Sequence, residues 1–144
     1  MSPETETKEW RESVIKARDR ARRNVASDAA GEARLREDFL RLKKRAFPLF
    51  EGVIREYGPD LKDFPRLMDR PPDSFGIEFD PDFALIFRLY PGYRGSDVHF
   101  EVQRKYRRVR DLIEDLVEGA SIDMSEADLK KLILAFVNLY ETHK

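Results

Sequence analysis

The sequence predicts an α+β domain: a three-stranded antiparallel β-meander covered on one face by helices, with a long helical arm at its N-terminus. The expected order is α-α-β-β-β-α-α. Three patterns carry this reading. Residues 35–57 repeat apolar side chains at helical spacing, residues 75–102 alternate apolar and polar with period two, and residues 106–140 return to helical spacing. Alternating strands with one apolar face need cover, and the flanking helices supply it.

The arm comes first. Ser2-Pro3-Glu4 suits a helix start, with serine as cap, proline in the first turn and an acid at the positive end of the dipole. Residues 3 to about 27 then read as helix. Their apolar positions are Trp10, Val14, Ala17, Ala21 and Val25, a thin stripe that contains alanine. Ser27-Asp28-Ala29-Ala30-Gly31 reads as a break, because glycine inside a helix costs about 1 kcal/mol relative to alanine. Residues 1–31 are therefore taken as the arm and residues 32–144 as one α+β domain.

The second helix has the sharpest pattern. Leu35, Phe39, Leu42, Ala46, Leu49 and Val53 follow steps of four and three, and Phe47, Phe50, Ile54 and Tyr57 widen the stripe. Pro48 is expected to kink it near Lys44, and Gly58-Pro59 to end it. A proline-rich connector follows, with a short helical turn expected over Asp60–Met68.

Three strands come next. Phe75, Ile77 and Phe79 form the apolar face of the first, Phe83, Leu85, Phe87 and Leu89 that of the second, and Val98, Phe100 and Val102 that of the third. Asp80-Pro81-Asp82 makes a tight turn, and Pro91–Asp97 a longer loop. The expected register sets Phe87 opposite Phe100 and Arg88 opposite His99. Two helices close the chain. One is expected over Tyr106–Glu118, with Val109, Leu112, Ile113, Leu116 and Val117 inward and Gly119 as its stop. The last follows a capping sequence at Ser125–Asp128 and buries Leu129, Leu132, Ile133, Phe136, Val137 and Tyr140.

Composition narrows the function classes. The 144 residues suit one domain. Charged residues make up 38%, against about 25% in ordinary globular proteins, so long solvated helix faces are expected. With no cysteine, disulfides, thiol chemistry and cysteine-bound metals are excluded. The longest apolar run, Leu132–Val137, is far too short for a bilayer. The acidic, polar start does not fit a secretory signal, and a cytoplasmic protein without membrane association is the default. Net charge is −1, unevenly spread: residues 1–58 carry 14 bases and 11 acids, whereas residues 111–144 carry 3 and 8.

No catalytic or cofactor motif emerges, so the reading leans away from an enzyme, and neither a cofactor nor a metal site is expected. Phosphate loops, serine elbows and calcium loops are absent from the sequence. Two polar constellations remain. Arg88, His99 and Glu101 share the polar face of the expected sheet and offer a candidate acid-base or ligand site. A solvated face with cross-strand charge pairs accounts for the same pattern. Arg104, Lys105, Tyr106, Arg107 and Arg108 mix cations with an aromatic at an expected strand-to-helix junction, which suits phosphate contacts and base stacking. Pairing with the acidic segment 111–128 is the plainer account.

The preferred expectation is a non-enzymatic interaction or adaptor protein that acts through charged helical surfaces, as a homodimer. Its contact residues would be Trp10, Val14 and Val25 on the arm. A nucleic-acid-binding protein using residues 104–110 is the first alternative, and a small enzyme or ligand binder around His99 the second.

Overall fold

The computed structural model describes residues 3–57, 64–92 and 97–144, with side chains from Thr7 onward. The fold is α+β, with three helices and a six-stranded antiparallel sheet among the described residues. Helix α1 spans Pro3–Arg23, strand β1 Val25–Ala26 and helix α2 Ala29–Tyr57. Strands β2 (Arg66–Arg70), β3 (Ser74–Asp80), β4 (Phe83–Pro91), β5 (Val98–Arg108) and β6 (Asp111–Leu116) follow, and helix α3 (Glu126–His143) closes the chain.

The expected break between the first two helices is present, but its chemistry is a cap rather than a glycine stop. The Asp28 carboxylate accepts the Gly31 N–H at 2.7 Å, and the Asp28 carbonyl accepts the Glu32 N–H at 2.9 Å, so α2 starts at Ala29 and holds Gly31 in its first turn. Val25 leaves the helical stripe and sits in β1. Helix α2 then buries Leu35, Phe39, Leu42, Ala46 and Phe50, with Pro48 inside it. The expected stop at Gly58-Pro59 lies outside the described residues.

The three expected strands exist as β3, β4 and β5, and the apolar residues assigned to β3 and β4 are buried, together with Phe100 and Val102 of β5. Three further strands correct the expected count and order. Arg66–Arg70, where a helical turn was expected to end, is β2 and pairs with β3. Residues 60–63 of that turn lie outside the described residues. Tyr106–Glu118, expected as a helix, is instead the end of β5, a two-residue turn and β6. The order is therefore α-β-α-β-β-β-β-β-α.

The sheet runs β2-β3-β4-β5, and β5 is long enough to hold two partners on its far edge. Val25 and Ala26 pair with His99 and Val98 near its start, while β6 pairs with Gln103–Arg108 at its end. The register also differs from expectation. Phe87 lies opposite Val102, Leu89 opposite Phe100, Arg88 opposite Glu101 and Tyr90 opposite His99.

One face of the sheet packs against α2 and α3, and that core is rich in phenylalanine. Phe75 and Phe87 stack at 5.0 Å, Phe39 sits 4.9 Å from Phe75, and Phe79 meets Phe136 at 5.6 Å. Such aromatic pairs add about 1 kcal/mol each beyond their buried area. Ser125 caps α3 as expected, accepting the Asp128 N–H at 3.1 Å, and Leu129, Ile133 and Phe136 are buried.

The β5–β6 turn consists of Val109 and Arg110, and Val109 adopts a positive φ of 58°. Two-residue hairpins require that conformation, yet a β-branched residue adopts it at a cost. Its side chain is exposed. Val109→Gly should therefore raise stability by about 0.5–1 kcal/mol, since glycine adopts a positive φ without strain at the first position of a two-residue turn. Denaturant unfolding measures it. A helix at this position would give the opposite sign, because glycine is a poorer helix former than valine and the apolar contact would be lost.

Candidate interaction surface

Helix α1 is fastened to the domain by its last turn. The Arg20 guanidinium donates to the Gly119 carbonyl at 3.3 Å, and Arg23 pairs with Asp123 at 3.2 Å. Asn24, just past the helix, makes the central contacts. Its side-chain amide donates to the Ala120 carbonyl at 2.8 Å, and its side-chain oxygen accepts the Ile122 N–H at 2.8 Å. Its main-chain carbonyl accepts the Phe100 N–H at 2.7 Å, extending the β1–β5 ladder by one bond. The Val117 N–H donates to Val102 at 2.8 Å from the other side, so the gap between β1 and β6 is bridged at both ends.

Gly119 has φ +78°, and a side chain there would come within 2.6 Å of Arg20. The bend at Gly119 is what lets the 117–122 segment meet the arm.

Upstream of this anchor, every side chain from Thr7 to Arg18 is exposed. Trp10 is 72% exposed and Val14 48%. Helical geometry places Trp10, Val14, Ala17 and Ala21 on one stripe, with Arg11 and Arg18 along one flank. The lower part of the stripe touches the domain: Ala17 and Ala21 line a cleft of about 240 Å³ together with Leu116 and Val117. The upper part projects past it. Lys8, Arg11, Lys16 and Arg18 make no ion pair among the described residues. Of the three arm residues expected to interact, Trp10 and Val14 are thus presented to solvent, whereas Val25 is half-buried in β1 and helps to hold the arm.

The expected ligand site is partly assembled. Arg88, His99 and Glu101 do share the sheet face opposite the helices. Arg88, however, is tied to Glu101, its Nε donating at 2.6 Å, and His99 lies against the Tyr90 ring at 5.5 Å. The expected apposition of Arg88 and His99 is replaced by this pairing. Among the described residues no cluster of three or more metal-binding side chains forms.

Strand alternation divides the basic cluster. Arg104, Tyr106 and Arg108 face the helix side, and Lys105 and Arg107 face the other. Arg104 makes a two-pronged bond to Asp115 at 2.7 and 2.8 Å, joined by the Tyr106 hydroxyl at 3.1 Å. Hydrogen bonds and charge from Arg104 hold the Asp115 carboxyl below the usual range, and Asp115 raises Arg104 in turn. Arg107 pairs with Asp82 at 2.9 Å. What looked like a strand-to-helix junction is a β-hairpin, and two of its arginines are already matched to acids.

The same alternation moves the acidic segment and the apolar residues beside it. Asp111 and Asp115 face the helix side, but Glu114 faces away, so the expected single acidic helix face does not form. Leu112 and Leu116, expected inward, lie on the open face and are 46% and 52% exposed. Leu112, Leu116 and Asn24 are surface and anchor residues that helical reading of these segments could not find.

No helix among the described residues is long and apolar enough to cross a membrane. No protein-family model matches the chain, and no curated protein or solved structure is significantly similar to it.

Proposed function

We propose that the protein is a non-enzymatic interaction or adaptor protein, acting through its charged helical arm as a homodimer in the cytoplasm. One observation carries this: α1 is held to the domain through its C-terminal half, from Ala17 to Asn24, and presents the upper part of its apolar stripe, Trp10 and Val14, to solvent. Most helix stability in proteins comes from packing an apolar face rather than from helix propensity. Burying a large aromatic or aliphatic side chain contributes about 1.5–3 kcal/mol. The arm therefore gains its main stabilisation from a surface outside its own protomer.

Removing residues 1–18 spares Arg20, Arg23 and Asn24. The shortened protein should lose the helical circular dichroism of α1 alone and keep the cooperative unfolding of the rest, while light scattering shows a fall from dimer to monomer. If mass and bound partners are unchanged by the deletion, the arm is not an interaction element and the proposal fails.

A further inference from the structure

Five residues of α1 fall on one line of the helix surface. Lys8, Arg11, Ile15, Arg18 and Arg22 follow steps of three, four, three and four, and all five are exposed. At about 100° per residue, this line lies about 120° round the helix from Ala17 and Ala21, which line the cleft against the domain. From Lys8 to Arg22 it runs about 21 Å at about 1.5 Å per residue. None of its four cations makes an ion pair among the described residues. Arg11 and Arg18 have no acid three or four residues away, while Glu12 stands four residues from Lys8 and Asp19 three from Arg22. Lys8 with Arg11, and Arg18 with Arg22, are instead like-charge neighbours, which weaken a helix. The row continues past the helix, where Arg22 shares a cleft of about 300 Å³ with Arg34 of α2. The charged lining is Arg22, Arg23 and Arg34 against Asp38 and Asp123, and both acids are paired, Asp123 with Arg23 and Asp38 with Arg41.

We propose that this row binds duplex DNA, with α1 entering the major groove row foremost and the domain behind it. The side chains of Lys8, Arg11, Arg18 and Arg22 reach the phosphates on the groove walls, and Arg34 adds a contact beyond the end of the helix. The inference goes beyond the reading of the arm as a dimerisation element, because it uses a different side of the same helix.

Charge and shape select this occupant. From Thr7 to Arg23 the helix carries seven bases against three acids, and the acids lie off the row. Glu9, Glu12 and Asp19 stand about 60–140° further round, on the sides that a groove-bound helix turns to solvent. A row of cations without an acid in it matches an unbroken run of anions. Duplex DNA carries one negative charge per about 1.7 Å of axis, whereas protein surfaces intersperse both signs. Three of the four cations on the helix are arginines, whose planar fork of donors fits phosphate. A lipid surface asks for an apolar helix face, and Ile15, 41% exposed, is the one apolar side chain in the row. A helix with its side chains is about 10–12 Å across and the major groove of DNA about 12 Å wide, while that of duplex RNA is too narrow to admit it.

Fluorescence anisotropy of a labelled, mixed-sequence DNA duplex, titrated with the full chain at several salt concentrations, tests this. Binding is expected at low salt, with log affinity falling against log salt at a slope of about −4 to −5 for five cation–phosphate contacts. Arg11→Gln with Arg18→Gln keeps helix propensity and removes two of the contacts. It is expected to weaken binding about tenfold or more and to make the slope shallower by about 2, whereas Arg11→Lys with Arg18→Lys keeps the slope. Lys105→Gln, on the sheet, is expected to change neither. Circular dichroism checks that each variant is folded, and light scattering reads the oligomeric state separately. A monomer that binds the duplex sinks the dimer and leaves this proposal standing. No binding at low salt overturns the proposal, as does an Arg11→Gln, Arg18→Gln variant with wild-type affinity and slope. So does a slope that falls with Lys105→Gln instead, which places the contacts on the β5–β6 hairpin. Poly-glutamate or phosphatidylserine vesicles that displace the duplex at equal charge concentration would assign the row to an acidic protein or a membrane, and duplex RNA binding as tightly as DNA would remove the groove fit. Each of these three results also overturns the proposal.

Discussion

Gly76→Ala is expected to abolish the folded state, or to lower its stability by about 3 kcal/mol or more, the range of severe overpacking in a fixed backbone. Gly76 sits in the middle of β3, between Met68 on β2 and Ile86 on β4. A methyl group added there would fall well inside contact distance of the Leu85 carbonyl oxygen and 3.1 Å from Ile86 Cα. Both are main-chain atoms of β4, which is held on its other side by eight residue pairs with β5. Nothing nearby is the free end of a flexible side chain, so relief means separating two central strands. Gly52 provides the internal contrast. It lies inside α2 with nothing within 4 Å of an added Cβ, and Gly52→Ala should stabilise by about 0.5–1 kcal/mol through helix propensity. Urea unfolding of the two variants reads opposite signs. Equal and small effects at both positions would mean that β3 and β4 do not approach as closely as described.

Sequence patterning located the parts of the fold where one period dominates. The α2 stripe from Leu35 to Val53 fits only a helix, and Phe75-Ile77-Phe79 and Phe83–Leu89 fit only strands. Ser125 announces α3 by its capping chemistry. The β5–β6 hairpin was not legible for two physical reasons. Its turn, Val109-Arg110, carries none of the glycine or asparagine that normally marks a two-residue loop. Its strand β6 is open to solvent on one face, so Leu112 and Leu116 appear as core residues at helical spacing when they are in fact exposed. Strands β1 and β2 were hidden differently. A two-residue strand has no period to detect, and β2 begins directly after a proline in a segment of weak alternation.

The candidate surface was legible to the same uneven degree. Trp10 and Val14 stood out because a thin stripe bearing a tryptophan has too little partner surface of its own. The register error of two residues misplaced His99, since period-two patterning fixes which face a residue occupies but not which residue it faces. Arg88 and Glu101 thereby became direct partners rather than diagonal ones. Asn24 was invisible for a further reason: its importance comes from contacts with residues 100, 120 and 122, and no local pattern encodes a polar side chain that bridges distant backbone.

That hub gives the second large expectation. Asn24→Ala removes both side-chain bonds and leaves the Ala120 carbonyl and the Ile122 N–H without their partners in a partly buried setting. Two unsatisfied backbone groups cost about 2–4 kcal/mol in total. Asn24→Asp separates the two bonds. Its carboxylate still accepts the Ile122 N–H, but its other oxygen now faces the Ala120 carbonyl at a distance set for donation. Acceptor against acceptor in this partly buried site is at least as unfavourable as an empty one. Asn24→Asp is therefore expected to match or exceed the loss from Asn24→Ala, although it keeps the size and shape of the side chain. Thermal unfolding gives the stabilities. Hydrogen exchange at Phe100, whose N–H is bound by the Asn24 main-chain carbonyl, reports whether the arm has come loose from the sheet edge. If Asn24→Asp unfolds at the wild-type temperature with Phe100 still protected, the side-chain bridge does not hold the arm and Arg20, Arg23 and β1 suffice. If both variants loosen Phe100 while α2 and α3 keep their protection, the arm is a separately hinged unit, fixed to a rigid domain by one asparagine and free to reach a neighbour.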